Sequence, residues 1–224
     1  MPRLDVWLVE NGHFSSRQVA KRAIKGGLVT VDGHRCKPSK QVSGQENIVI
    51  SPESVDMPMG YHKLKRIDEL LEGTLVSSPC VALDIGSSAG GFLAYLDEKG
   101  ANSIGIEVAE RFFDSLIELV ESHPRISILF DDAFTIDPSI ICDEGSLDLL
   151  LVDVTTDIDG TIELISRFTC LLKTSGRLVT AFKTDDSETV LQLIESVTKI
   201  GYVKVQSIHL DDSRQEIHIT GCHK

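Results

Sequence analysis

The stretch Val81–Phe92, VALDIGSSAGGF, decides the fold. An apolar run of strand length reaches an acid, Asp84, and then breaks into Gly86-Ser87-Ser88-Ala89-Gly90-Gly91. A strand, a glycine turn and a helix in that order open a βα unit, and the glycines let a ligand come close to the backbone. A dinucleotide turn has the spacing G-x-G-x-x-G, with helix N–H groups facing a pyrophosphate. Here Ser88 stands where the middle glycine would be, and Asp84 adds negative charge that a pyrophosphate would not welcome. A ligand carrying positive charge would tolerate it.

From Tyr61 onward the chain alternates between helical and strand patterns. NSIGIEV, RISILFDDAF, LDLLLVDVT and GRLVTAFK read as strands, separated by the helical patterns GFLAYLDEKG, AERFFDSLIELVES and TIELISRFTCLL, with SETVLQLIESVTKIG following. Such alternation predicts an α/β fold with a Rossmann-like, doubly wound and mostly parallel sheet. LDLLLV is apolar throughout, which places it at the centre. The pair YVKVQSIHL and QEIHITGC predicts an antiparallel last strand. In such sheets ligands gather at the carboxyl ends of the strands, where Asp84, Glu107, Asp132, Asp153 and Lys183 fall. Glu107 ends the second strand and can accept both ribose hydroxyls of a nucleoside. Asp132, or Asp131 beside it, can reach an adenine amino group. These acids fit S-adenosylmethionine better than NAD, with Asp84, Gly86, Ser88, Gly90, Glu107 and Asp132 as the cofactor-binding set.

The chain has 224 residues, 42% of them hydrophobic, enough for one ordinary domain and a small one. No apolar run is long enough to span a bilayer, and MPRLDVWLVENG carries charge where a signal sequence needs its apolar stretch. Cys36, Cys80, Cys142, Cys170 and Cys222 are scattered without a CxxC, which predicts reduced thiols, a cytoplasmic location and no metal site. The net charge of −12 is unevenly spread. Residues 1–66 hold 11 Lys and Arg against 6 Asp and Glu, whereas residues 67–224 hold 11 against 28. A basic head on an acidic body predicts a module that seeks a polyanion.

Within that head, Leu4, Trp7 and Leu8 have helical spacing, and the pattern ends near Gly12. Ser15 and Gln18 then have the spacing of a capping box, and Gly26-Gly27 stops the second helix. Val19, Ala23 and Ile24 face inward, while Arg17, Lys21 and Lys25 recur every fourth residue with Arg22 beside them. LVTVDGHRC predicts a hairpin turning at Asp32-Gly33, and NIVI closes the unit as a strand. Together with Arg3, Arg35 and Lys37, these cations make a surface suited to a phosphate backbone. The stretch RLDVWLVENGHFSSRQVAKRAIKGGLVTVDG resembles the S-four-type RNA-binding domain. We therefore expect a small α+β RNA-binding domain over residues 1–50, a Pro- and Ser-rich linker over 51–60, and the catalytic domain over 61–224.

That head joined to LDIGSSAGGF, with LLLVDVT and GRLVTAFK downstream, resembles the TlyA (hemolysin A) group of ribosomal RNA methyltransferases. Its catalytic domain is similar to the FtsJ-type ribose 2′-O-methyltransferases. The resemblance implies S-adenosylmethionine as cofactor, ribosomal RNA as partner, and a Lys-Asp-Lys-Glu set formed by Lys63, Asp153, Lys183 and Glu216. In that set Lys183 takes the proton of the ribose hydroxyl or steadies the alkoxide, and Asp153 orients it. Lys63 and Glu216 position the hydroxyl and balance the charge. The chain departs from the group at the substrate edge, with TDDSE after Lys183 and Thr155-Thr156 near Asp153. Two alternatives stay open: a base methyltransferase, and an RNA-binding or ribosome-assembly factor whose methyltransferase fold does not catalyse.

Overall fold

The protein is described as a computed structural model covering residues 1–14, 17–51, 57–184, 186–210 and 216–224. Ser15, and with it the capping box expected there, lies outside the described residues, as do residues 52–56 of the expected linker. The chain divides into two compact units, Met1–His62 and Lys63–Lys224.

The first unit contains α1 (Leu4–Glu10), α2 (Arg17–Lys25), β1 (Val29–Val31), β2 (His34–Arg35) and β3 (Ile48–Ile50), with the strands ordered β2-β1-β3 and antiparallel. Leu4 and Leu8 from α1 pack with Ala20, Ala23 and Ile24 from α2 and with Val29 and Val31 from β1. Helix α2 ends as its glycines predict. Gly27 N–H donates to Ile24 O and Leu28 N–H to Ala23 O, the paired bonds of a Schellman cap. Asp32 and Gly33 have φ of 53° and 78°, so both central residues of the hairpin are left-handed, as a type I′ turn requires.

The second unit is built on α3 (Met59–Leu70, from Lys63 onward), β4 (Val81–Ile85), α4 (Gly91–Glu98), β5 (Asn102–Ile106), α5 (Phe113–Ser122) and β6 (Ile126–Leu129). It continues with β7 (Leu147–Val152), α6 (Ile158–Phe168), β8 (Leu172–Phe182), α7 (Ser187–Ile200), β9 (Tyr202–Ile208) and β10 (Ile217–His223). The seven strands run in the order β6-β5-β4-β7-β8-β10-β9. The pairs from β6 through β8 are parallel, and β10 pairs antiparallel with both β8 and β9. The apolar β7 is the middle strand, as its composition predicts. Leu83, Ile85, Leu150 and Val152 share one core with Leu164, Ile165 and Phe168 of α6 and Leu193 and Val197 of α7. Asp157 and Asp186 cap α6 and α7, each accepting a main-chain N–H three residues on at 2.8 Å.

Asp68 ties α3 to its surroundings. The buried carboxylate accepts from Tyr95 Oη–H at 2.7 Å and from Leu75 N–H at 2.9 Å, and Lys99 Nζ lies 3.3 Å away. Replacing Asp68 by Ala leaves the Leu75 N–H without its acceptor and should cost roughly 2–4 kcal/mol. Lys99→Ala, at the half-exposed end of the same pair, should cost less than about 1 kcal/mol. Urea unfolding of the two variants measures the contrast.

Candidate active site and nucleic-acid interface

The turn after β4 works through its main chain. Gly86 has φ of +87°, and both Gly86 N–H and Ser87 N–H donate to Ile106 O at 3.0 and 3.2 Å. A Cβ at Gly86 would lie 2.6 Å from the main-chain oxygen of Asp153, so the turn and the end of β7 touch backbone to backbone. Only glycine satisfies both conditions. Gly90, by contrast, backs onto Leu116 and Leu119, so its role is packing behind the turn.

A cavity of about 250 Å³ opens beside this turn. Gly86, Ser88, Glu107, Asp131, Asp132 and Asp153 line it, so the expected cofactor residues converge there apart from Asp84 and Gly90. Glu107 is buried and braces the site: Ser88 N–H donates to one carboxylate oxygen and Ala109 N–H to the other, both at 2.7 Å. Each oxygen keeps a lone pair for a ligand hydroxyl. Asp132 accepts from Phe134 N–H at 2.9 Å, and Asp132 N–H itself donates to Asp131. Ile106, Ala133 and Phe134 supply an apolar wall that sequence reasoning missed, because single apolar residues at or beyond strand ends carry no periodic signal of a site.

Asp84 lies behind the cavity, 1% exposed, with neither carboxylate oxygen in a hydrogen bond among the described residues. The Ser87 hydroxyl donates instead to Asp84's main-chain oxygen at 3.1 Å. Burial pushes the carboxyl up to about 7, and the charges of Asp153 and Glu107 push in the same direction.

The second half of the site centres on Lys63. Its Nζ lies 2.8 Å from Asp153 Oδ2 and 2.7 Å from Glu216 Oε1, although the two acids are far apart in sequence. Burial works against the Lys63 charge, but the two carboxylates outweigh it and raise its pKa above the ordinary lysine value. Glu216 is held down at about 2 by the His218 ring, whose Nε2 is 3.2 Å away, and by Lys63. His218 on β10 is buried beside this set and was not singled out from the sequence, although its period-two spacing from Glu216, the residue just ahead of β10, places both on one face.

The structure thus brings Lys63, Asp153 and Glu216 together and gives Asp153 a different partner from the expected one, Lys63 in place of Lys183. Lys183 is exposed at the end of β8 and has no ion pair among the described residues. It lines a second cavity of about 500 Å³ with Asp157, Asp159, Thr161, Ala181 and Phe182, and Val154 and Thr156 line both cavities.

In the first unit, Arg17, Lys21, Arg22 and Lys25 line a surface concavity on α2, and Arg35 and Lys37 are exposed nearby in sequence. Arg3, Arg17 and Lys21 converge on the buried Asp5 at 2.9, 3.2 and 3.8 Å. Burial raises the Asp5 pKa, but hydrogen bonds from Arg3 and Arg17 outweigh it and the net shift is downward. Among the described residues no helix is long and apolar enough to cross a membrane, and no cluster of His, Cys, Asp or Glu could hold a metal ion.

The strand order, the glycine turn and the acid-lined cavity define a Rossmann-like methyltransferase fold with a small basic α+β unit ahead of it. Residues 2–48 match the S4 domain and residues 58–208 match the FtsJ-like methyltransferase family. The chain belongs to the FtsJ-like methyltransferase family. It is 31% identical over 156 residues to the 16S/23S rRNA (cytidine-2′-O)-methyltransferase TlyA of Mycobacterium tuberculosis, a match covering 68% of this chain and 56% of that protein. It is also 34% identical over 103 residues to YqxC of Bacillus subtilis, covering 44% of this chain and 35% of that one. The chain therefore spans about half the length of the mycobacterial relative and about a third of YqxC. Among solved structures, Aeropyrum pernix fibrillarin in complex with S-adenosyl-L-methionine shares the fold with a TM-score of 0.61. The identity is 23%, over 72% of this chain and 75% of that one.

Asp84 generates a test of the cavity's electrostatics. Its folded pKa is raised from 3.8 to about 7, so its contribution to stability is present below 3.8 and is lost as pH rises through 7. Asp84→Asn should match the parent at acid pH and exceed it in stability above pH 7, read from urea unfolding across a pH series.

Proposed function

We propose that this chain transfers a methyl group from S-adenosylmethionine to a ribose 2′-hydroxyl of ribosomal RNA. The observation that carries this reading is the Asp153–Lys63–Glu216 cluster, set at the strand edge where the acid-lined cavity opens. The residues present suit the cofactor. Glu107 offers acceptors for ribose hydroxyls, Asp132 for an adenine amino group, and the orphaned Asp84 oxygens balance a cationic methionine end. Ile106, Ala133 and Phe134 would cover a flat base. When bound, S-adenosylmethionine supplies an electrophilic sulfonium methyl group.

The chain's own groups then act on the acceptor. A ribose hydroxyl is a weak nucleophile and has to be held in line with the methyl group. Lys63, kept cationic by its two carboxylates, binds and orients oxygen and steadies the charge that develops on it. A lysine so held is a poor base, and Lys183, which no described carboxylate pairs, is the group that takes the hydroxyl proton. Asp153 and Glu216 fix Lys63, and the S4 domain with its α2 cations binds the phosphate backbone. The activity of the mycobacterial relative, an rRNA (cytidine-2′-O)-methyltransferase, supports ribosomal RNA and ribose as the targets.

Ribosomal RNA treated with the protein and isotope-labelled cofactor, then digested to nucleosides, should yield a ribose-methylated nucleoside. A methyl on a base would overturn the ribose reading, and cofactor and RNA binding without transfer would favour an assembly factor. Lys183→Ala should lower the rate about 10²–10⁴-fold with RNA binding retained. A fully active variant removes Lys183 from proton transfer.

A further inference from the structure

Asp5 is the only buried charged side chain among the described residues of the first unit. Three cations from two segments meet on it. Arg3, just ahead of α1, places Nε 2.9 Å from Oδ1, and Arg17 and Lys21, one turn apart on α2, place Nη2 and Nζ 3.2 and 3.8 Å from Oδ2. The carboxylate is fully buried, whereas the three side chains are 46%, 55% and 43% exposed. The acid thus lies beneath the cations, and anything arriving from solvent meets the cations first.

Left alone, three long cationic side chains fan apart through mutual repulsion and rotamer entropy. Each would then bind RNA as an independent counterion exchanger, paying its ordering cost on binding. Asp5 removes that freedom beforehand and leaves a net surplus of positive charge. Donors also remain. A guanidinium carries five N–H groups, Arg17 commits one Nη to Asp5, and the Lys21 ammonium is too far for a hydrogen bond and keeps its three.

We infer that Asp5 is a positioning residue for RNA: it gathers Arg3, Arg17 and Lys21 into one preset clamp for a single backbone phosphate. The inference rests on the RNA-binding reading of this unit. The opposite role has the opposite sign, since an acid that merely neutralised the cations would weaken RNA binding and its removal would strengthen it.

The test uses the full chain and a fluorescein-labelled RNA hairpin titrated over a range of salt. Asp5→Asn should weaken binding by roughly 5–20-fold and flatten the slope of log K against log[salt] by about one phosphate contact. In a chain already carrying Arg17→Ala and Lys21→Ala, the same change should alter affinity less than about twofold, because its effect runs through those residues. A purely structural role would leave the slope unchanged and multiply the losses. Equal or tighter binding by Asp5→Asn, or losses that multiply, would overturn the clamp. A parent chain that fails to bind the hairpin would overturn the RNA-binding reading itself. Should Asp5→Asn not fold, as judged by circular dichroism, the exposed pair Arg3→Gln and Arg17→Gln carries the test. Coupled losses support a shared phosphate, and multiplicative losses overturn it.

Discussion

The contact on which the second unit depends is the approach of Gly86 to the main-chain oxygen of Asp153. It joins the ends of two neighbouring parallel strands, β4 and β7, main chain to main chain, with the Val154 side chain packed alongside. One of these strand ends begins the cofactor turn, and the other carries the acid that grips Lys63. Because both ends are fixed by one sheet register, the cofactor cavity and the lysine cluster cannot shift independently. The rigidity that the proposed methyl transfer needs is thus supplied by backbone geometry, which loops alone do not provide.

Charge is arranged around that edge in two ways. On the cofactor side the acids are braced by main-chain N–H groups, as at Glu107, or left buried without a partner, as at Asp84. On the acceptor side they are neutralised by Lys63. A cationic ligand suits the first arrangement, and an oxygen acquiring negative charge suits the second. The basic head follows a third pattern, with one acid under several cations, which suits a polyanion.

Much of this was legible in the sequence because it is local. The Asp32-Gly33 hairpin, the Gly26-Gly27 stop, the βα alternation and the central position of LDLLLV all follow from patterns a few residues long. The acids at strand ends were legible too, since topology alone sends them to one edge. Partnerships across the fold were not. Lys63 and Asp153 are 90 positions apart, and no local rule distinguishes Lys63 or Lys183 as the partner of Asp153. Nothing in the sequence distinguishes Asp5, an acid in the first turn of α1, because its contacts with Arg17 and Lys21 of α2 arise only in the fold. His218 passed unnoticed for a similar reason: a histidine in a strand gains meaning only once the neighbouring helix has placed Lys63 beside Glu216.

The position of β10 bears on how the protein is made. It follows β9 in the chain but lies between β8 and β9 in the sheet, and among the described residues β9 has no other neighbour there. During synthesis the basic head and the strands β4 to β8 emerge first and can begin to fold. Strand β9 can join the sheet only after the following segment has been made, because it pairs through β10. Glu216 arrives with that same segment. The Asp153–Lys63–Glu216 cluster is therefore complete only once the segment beginning at Glu216 has been made and β10 has taken its place between β8 and β9.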